Sequence, residues 1–170
     1  MRQYLPKVLA LAVVCALPAN AAVFTYTPNV SIPDNSSVGI TDAHAISGLG
    51  SSISDVILTV NLTSGYVNDL LGYIRLGDQV DSPSYSLDST LALNNPSFSI
   101  HLDSFQGLDP NSTWTLKLAD MDPLGTTTLQ SWSLDITAVP EPTTVALWVF
   151  GLALAVVQSI KYLRQRENLA

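Results

Sequence analysis

Four runs of strict alternation confine the middle of this chain to β structure. Val56, Leu58, Val60 and Leu62 are spaced two apart, with Thr59 and Asn61 between them, and Phe98, Ile100 and Leu102 alternate with Ser99, His101 and Asp103. Trp114, Leu116 and Leu118 alternate with Thr115 and Lys117, and Trp132, Leu134 and Ile136 with Ser133 and Asp135. A period of two puts the apolar members on one face of an extended strand. Residues 23–27, 38–46, 70–76 and 84–93 read as further strands, separated by turn clusters such as Pro33-Asp34-Asn35 and Asp109-Pro110-Asn111. No convincing helical stripe interrupts them, so the pattern predicts an all-β fold, an antiparallel β-sandwich over residues 22–138. Those 117 residues suffice for a modest core without staples.

The same segment is strongly acidic. It holds twelve Asp and no Glu against two cations, Arg75 and Lys117, a net −10 within a chain of overall charge −7. Such a surface repels phosphate backbones, and no nucleic-acid partner is expected. Loop aspartates suit hard cations. The densest pair, Asp120 and Asp122, followed by Asp78 and Asp81, makes calcium the one cofactor the sequence suggests, although turn formation by Asp explains the same residues.

Catalytic machinery is scarce. The segment offers two histidines, His44 and His101, with no nucleophile elbow, zinc-protease helix or phosphate-cradling glycine loop. His101 falls on the polar face of its strand. No catalytic residue is assigned, and the chain is read as a non-enzyme. Trp114 and Trp132 lie in phase with aliphatic neighbours, which favours core packing over a carbohydrate platform. Asn35, Asn61 and Asn111 have glycosylation-acceptor spacing.

The two ends follow other rules. Residues 1–21 combine Arg2 and Lys7, an apolar stretch over residues 8–17 and a small-residue cleavage site at Ala19 and Ala21, the layout of a signal peptide for signal peptidase. The apolar stretch is too short to span a bilayer. Cys15, the sole cysteine, lies inside it, so a mature chain has no thiol. At the other end, Pro140-Glu141-Pro142 precedes the apolar run 143–160, eighteen residues or about 27 Å of helix, and then Lys161, Arg164 and Arg166. Cations on that side alone place the tail in the cytoplasm and the body outside. A short Pro-Glu-Pro motif, one transmembrane helix and a basic stop resemble the PEP-CTERM sorting signal. The resemblance implies a Gram-negative bacterial host, passing attachment to the inner membrane, cleavage by an exosortase-type protease, and release to the cell surface or the extracellular, exopolysaccharide matrix. The expected order is signal peptide 1–21, β-sandwich 22–138, sorting motif 139–142, transmembrane helix 143–162 and basic tail 163–170.

A second resemblance covers residues 30–137. Ile32-Pro33-Asp34-Asn35, Ile53-Ser54-Asp55-Val56, Phe105-Gln106-Gly107, Asn111-Ser112-Thr113-Trp114-Thr115-Leu116 and Leu129-Gln130-Ser131-Trp132-Ser133-Leu134 are similar to the motifs of the P domain, also called P/Homo B. Membership would imply a jelly-roll sandwich of the kind that follows, and supports, the catalytic domain of proprotein convertases and subtilisin-like proteases. Two roles are therefore expected to compete: an exported surface or matrix protein, with matrix polysaccharide as a partner, and an accessory module stabilising a secreted protease in trans.

Overall fold

A computed structural model describes residues 20–63, 66–123, 125–139 and 142–167, the last segment with side chains at 148–161 and 165 only. The leader through Ala19, the sorting residues Pro140 and Glu141 and the last three residues of the tail lie outside the described residues. The side chains of Pro142, Arg164 and Arg166 do so too.

Among the described residues nine strands form: β1 (Asn20–Tyr26), β2 (Val30–Ile32), β3 (Ser36–Ala45), β4 (Ser52–Leu62), β5 (Leu70–Leu76), β6 (Ser84–Ser86), β7 (Ser97–His101), β8 (Thr113–Asp120) and β9 (Thr127–Val139). They make two antiparallel sheets, β1-β9-β4-β7 with β2 also on β9, and β3-β8-β5-β6. Each sheet buries one face against the other. Leu58, Trp132 and Leu134 from the first sheet and Ile74, Trp114 and Leu116 from the second all have 0% exposure within one apolar cluster. The fold is a β-sandwich.

Alternation alone does not keep the apolar residues inward along the longest strands, and bulges reset its phase. Ile53 pairs with Ala138 but Asp55 with Thr137, so Ser54 is an extra residue and both Ile53 and Val56 point into the core. Across the same ladder Asn61 pairs with Ser131 and Leu62 with Leu129, which makes Gln130 extra and turns Leu129 and Trp132 inward together. In β3 the register shifts between Ser36 and Ile40, around Gly39 at φ 59°.

One expected strand is corrected. Residues 84–93 do not run as a single strand, because the chain leaves the sheet after Ser86 and forms the one-turn helix α1 (Asp88–Leu91). Leu87 and Leu91, four apart, are both fully buried, a helical spacing that outweighs the weak alternation around it. The three-residue β2 was not anticipated either.

The chain divides into the sandwich unit, Ala19–Pro142, and a second unit that contains α2 (Pro142–Glu167). On α2 the described apolar side chains are exposed, Trp148 at 64% and Phe150 at 69% among them. Among the described residues no helix is long and apolar enough to cross a membrane. The span expected over 143–162 is therefore not shown.

Candidate functional site

β1 and β3 are the edge strands on one side of the sandwich, and their side chains meet across the seam. In β3, Asp42 and His44 are two apart and so share a face. Asp42 Oδ1 lies 3.0 Å from His44 Nε2, and its Oδ2 accepts the indole N–H of Trp132 at 2.7 Å. The His44 ring stacks on Tyr26 at 3.7 Å between centroids and 7° between planes, and Tyr26 tilts against Trp132 at 4.7 Å. Thr25, Tyr26, Thr27, Pro28, Asp42 and His44 line a cavity of about 300 Å³ that opens to solvent. Burial pushes the Tyr26 phenol above its ordinary range, and the Asp42 charge pushes the same way.

An Asp–His pair is two-thirds of a nucleophilic triad. Here the imidazole lies flat on a tyrosine and the carboxylate is shared with an indole. Through these contacts Asp42, His44, Tyr26 and Trp132 tie the two sheets together at the seam, and among the described residues no hydroxyl is bonded to His44. Its sequence signal was Asp42-Ala43-His44 on a strand. That signal is readable only once the phase of β3 is known.

The other candidates scatter. His101, on the outward face as expected, bonds Asp55 at 3.2 Å and is 63% exposed. Trp114 and Trp132 are core residues, and Trp114 donates to the Pro110 carbonyl at 3.1 Å. Asn111, with acceptor spacing for a glycan, instead staples a loop: its amide takes the Leu49 N–H and donates to the Leu49 and Gly50 carbonyls. Asn61 is similarly engaged by Ser131 and Ser97. Ala21 lies within β1 and pairs with Thr137, so cleavage after it leaves the ladder from Ala22 to Tyr26 in place. Lys161 is exposed on α2.

The two aspartate pairs named for calcium stand at opposite ends of β5. Asp120 pairs with Leu70 at the start of β5, whereas Asp78 follows its far end, about 20 Å away along the strand. Among the described residues no group of three or more His, Cys, Asp or Glu is arranged to hold a metal. What remains is Asp120 itself, 0% exposed, with Oδ2 unpartnered and Oδ1 accepting the Asp122 N–H at 3.2 Å. Burial pushes its carboxyl up, the Asp122 N–H pulls it down, and the charges of Asp34, Asp69 and Asp122 push it up further.

A raised carboxyl pKa means that the folded state holds the proton more tightly than the unfolded chain. This contribution is fully present below the unfolded value and is lost as pH rises through the folded one. The Tm of the wild type should therefore fall more between about pH 4 and about pH 7 than that of Asp120→Asn, which keeps the Oδ1 acceptor and removes the charge. Equal pH profiles for the two proteins would refute this account of Asp120.

On the outer face of the second sheet, a shallow trough of about 500 Å³ runs beside Tyr73, Ser84, Ser86 and Lys117.

No protein-family model matches the sequence, and no curated protein does either. Among solved structures, the chain is similar to the serine protease of Aeromonas sobria, with a TM-score of 0.56 and 14% identity over 72% of this chain. It is also similar, with a TM-score of 0.55 and 13% identity over 74% of this chain, to a chain in the complex of that protease with its chaperone. In each case the likeness covers 28% of the other chain. At these identities it establishes the β-sandwich fold and nothing finer.

Proposed function

We propose that this chain is an exported, non-catalytic jelly-roll sandwich of P-domain type that serves as an accessory module, docking in trans on a secreted serine protease. One observation carries the reading: the sandwich superposes on a minor share, 28%, of a serine protease chain, while among the described residues no hydroxyl is bonded to its own Asp42–His44 pair. The strand order supports the jelly roll, since only β5 and β6 are both neighbours in a sheet and consecutive in the chain.

Delivery is part of the proposal. Signal peptidase removes the leader after Ala21, α2 holds the chain briefly in the inner membrane, and an exosortase-type protease cuts near Pro140-Glu141-Pro142. An apolar helix exposed on every described side after the sandwich supports this, because such a helix in water needs a lipid or protein cover. The competing role, a surface or matrix protein bound to polysaccharide, rests on the same terminal signals. Calcium enters the proposal only at Asp120 and Asp122; a Tm gain in millimolar calcium that Asp120→Asn abolishes checks it.

The test uses tagged full-length chain expressed in its native host and purified from envelope and medium after cross-linking. The expected result is co-purification of a serine protease that labels with a fluorophosphonate probe and whose Tm rises when the purified chain is added back. Intact mass of the medium form should end near residue 140. Recovery of the chain with no labelled protease, or with one whose Tm it leaves unchanged, would defeat the accessory reading in favour of the matrix one. A mass extending through Ala170 in all fractions would defeat the sorting step.

A further inference from the structure

Both cations of the acidic sandwich stand on one face of one sheet. Tyr73 pairs with Lys117 across β5 and β8, and across β5 and β6 Tyr73 pairs with Ser86 and Arg75 with Ser84. Directly opposed residues project from the same side. That side is the outer one, because Ile74 and Leu116, next along their strands, are buried.

Neither cation is neutralised. Among the described residues the ion pairs are those of His44 with Asp42 and His101 with Asp55, although the segment holds twelve aspartates. The Arg75 guanidinium carbon lies 5.7 Å from the centre of the Tyr73 ring, and its Nε has no acceptor. Tyr73 and Lys117, with the small side chains Ser84, Ser86 and Ala119, line the trough of about 500 Å³, and Arg75 stands just beyond it, opposite Ser84. Asp88 also lines it, but its carboxylate accepts the Gly72 N–H at 2.9 Å.

We propose that this face, from the trough at Lys117 across to Arg75, binds an extended acidic peptide segment with carboxylates two residues apart. Lys117 and Arg75 are diagonal neighbours on the ladder, a relation that separates side chains by about 7–8 Å. In an extended peptide, carboxylates at i and i+2 face the same way about 6.6 Å apart. The match lets one peptide meet both cations at once. Repulsion from the rest of a −10 surface confines an acidic segment to this place. The inference deepens the docking reading by naming the chemistry of the partner's segment, and its test needs no protease, so either idea can fail alone.

The experiment is fluorescence anisotropy of a fluorescein-labelled Thr-Glu-Thr-Glu-Thr peptide against the full chain at low salt. Its Gln counterpart and an unlabelled polyuronate competitor run in parallel. Binding should weaken about tenfold or more in Lys117→Gln and in Arg75→Gln, persist in Lys117→Arg, and fall steeply with added salt. The Gln peptide should not bind. Equal affinity for the Gln peptide, indifference to both charge-removing variants, or displacement by polyuronate with no direct peptide binding would each overturn the proposal. Unaltered thermal unfolding of the variants shows that any loss comes from the trough and not from the fold.

Discussion

Replacing Trp132 by alanine is expected to destabilise the sandwich by about 3–5 kcal/mol, a large part of the 5–15 kcal/mol typical of a domain. Trp132 is fully buried and joins three things at once: the core of the first sheet, the Tyr26 ring across the seam, and the Asp42 carboxylate through its N–H. Trp132→Phe separates these contributions. It keeps most of the apolar volume and loses the hydrogen bond to a charged acceptor, so it should cost about 1–3 kcal/mol. Urea midpoints of the two variants measure both. If phenylalanine proves as damaging as alanine, the polar bond dominates and the packing account of this residue is wrong.

Gly39→Ala should be nearly as severe, at about 3 kcal/mol or more. Gly39 has φ 59°, and a Cβ there would overlap the Leu118 carbonyl oxygen and the Ala119 backbone. Both obstacles are main chain of β8, which cannot yield without undoing the β3–β8 ladder. Gly48 provides the control, with φ 86° and open space around its missing Cβ. Gly48→Ala should therefore cost only the conformational penalty, about 1 kcal/mol. Thermal unfolding of the pair decides: comparable losses would mean that the close approach in β3 matters little.

These effects also mark where sequence reading succeeds and where it stops. The alternating runs led directly to β4, β7, β8 and β9 and to the buried tryptophans, because a half-buried strand writes its two faces into every second residue. The register shifts at Ser54 and Gln130 were not legible, since a bulge appears in the sequence only as a lapse in alternation. α1 was missed because one helical turn, fixed by Leu87 and Leu91, is too short to show a stripe. The seam cluster stayed hidden for a different reason. Thr41-Asp42-Ala43-His44-Ala45 has no apolar face to set its phase, and its partners Tyr26 and Trp132 lie far away in sequence. The trough depends on the pairing of β5 with β8, a long-range choice that no local pattern encodes.

The antiparallel pairing of β1 with β9 has a mechanical consequence. Asn20 lies opposite Ala138, so the sandwich begins and ends at the same pole, and β9, thirteen residues long, runs from there between β1 and β4. Tension entering through residue 139 pulls β9 along its own axis. The ladder hydrogen bonds on both flanks stand perpendicular to that axis, so the load shears them together instead of opening them one by one. A body held by this end transmits drag to its tether through its longest strand, clamped by ladders on both flanks.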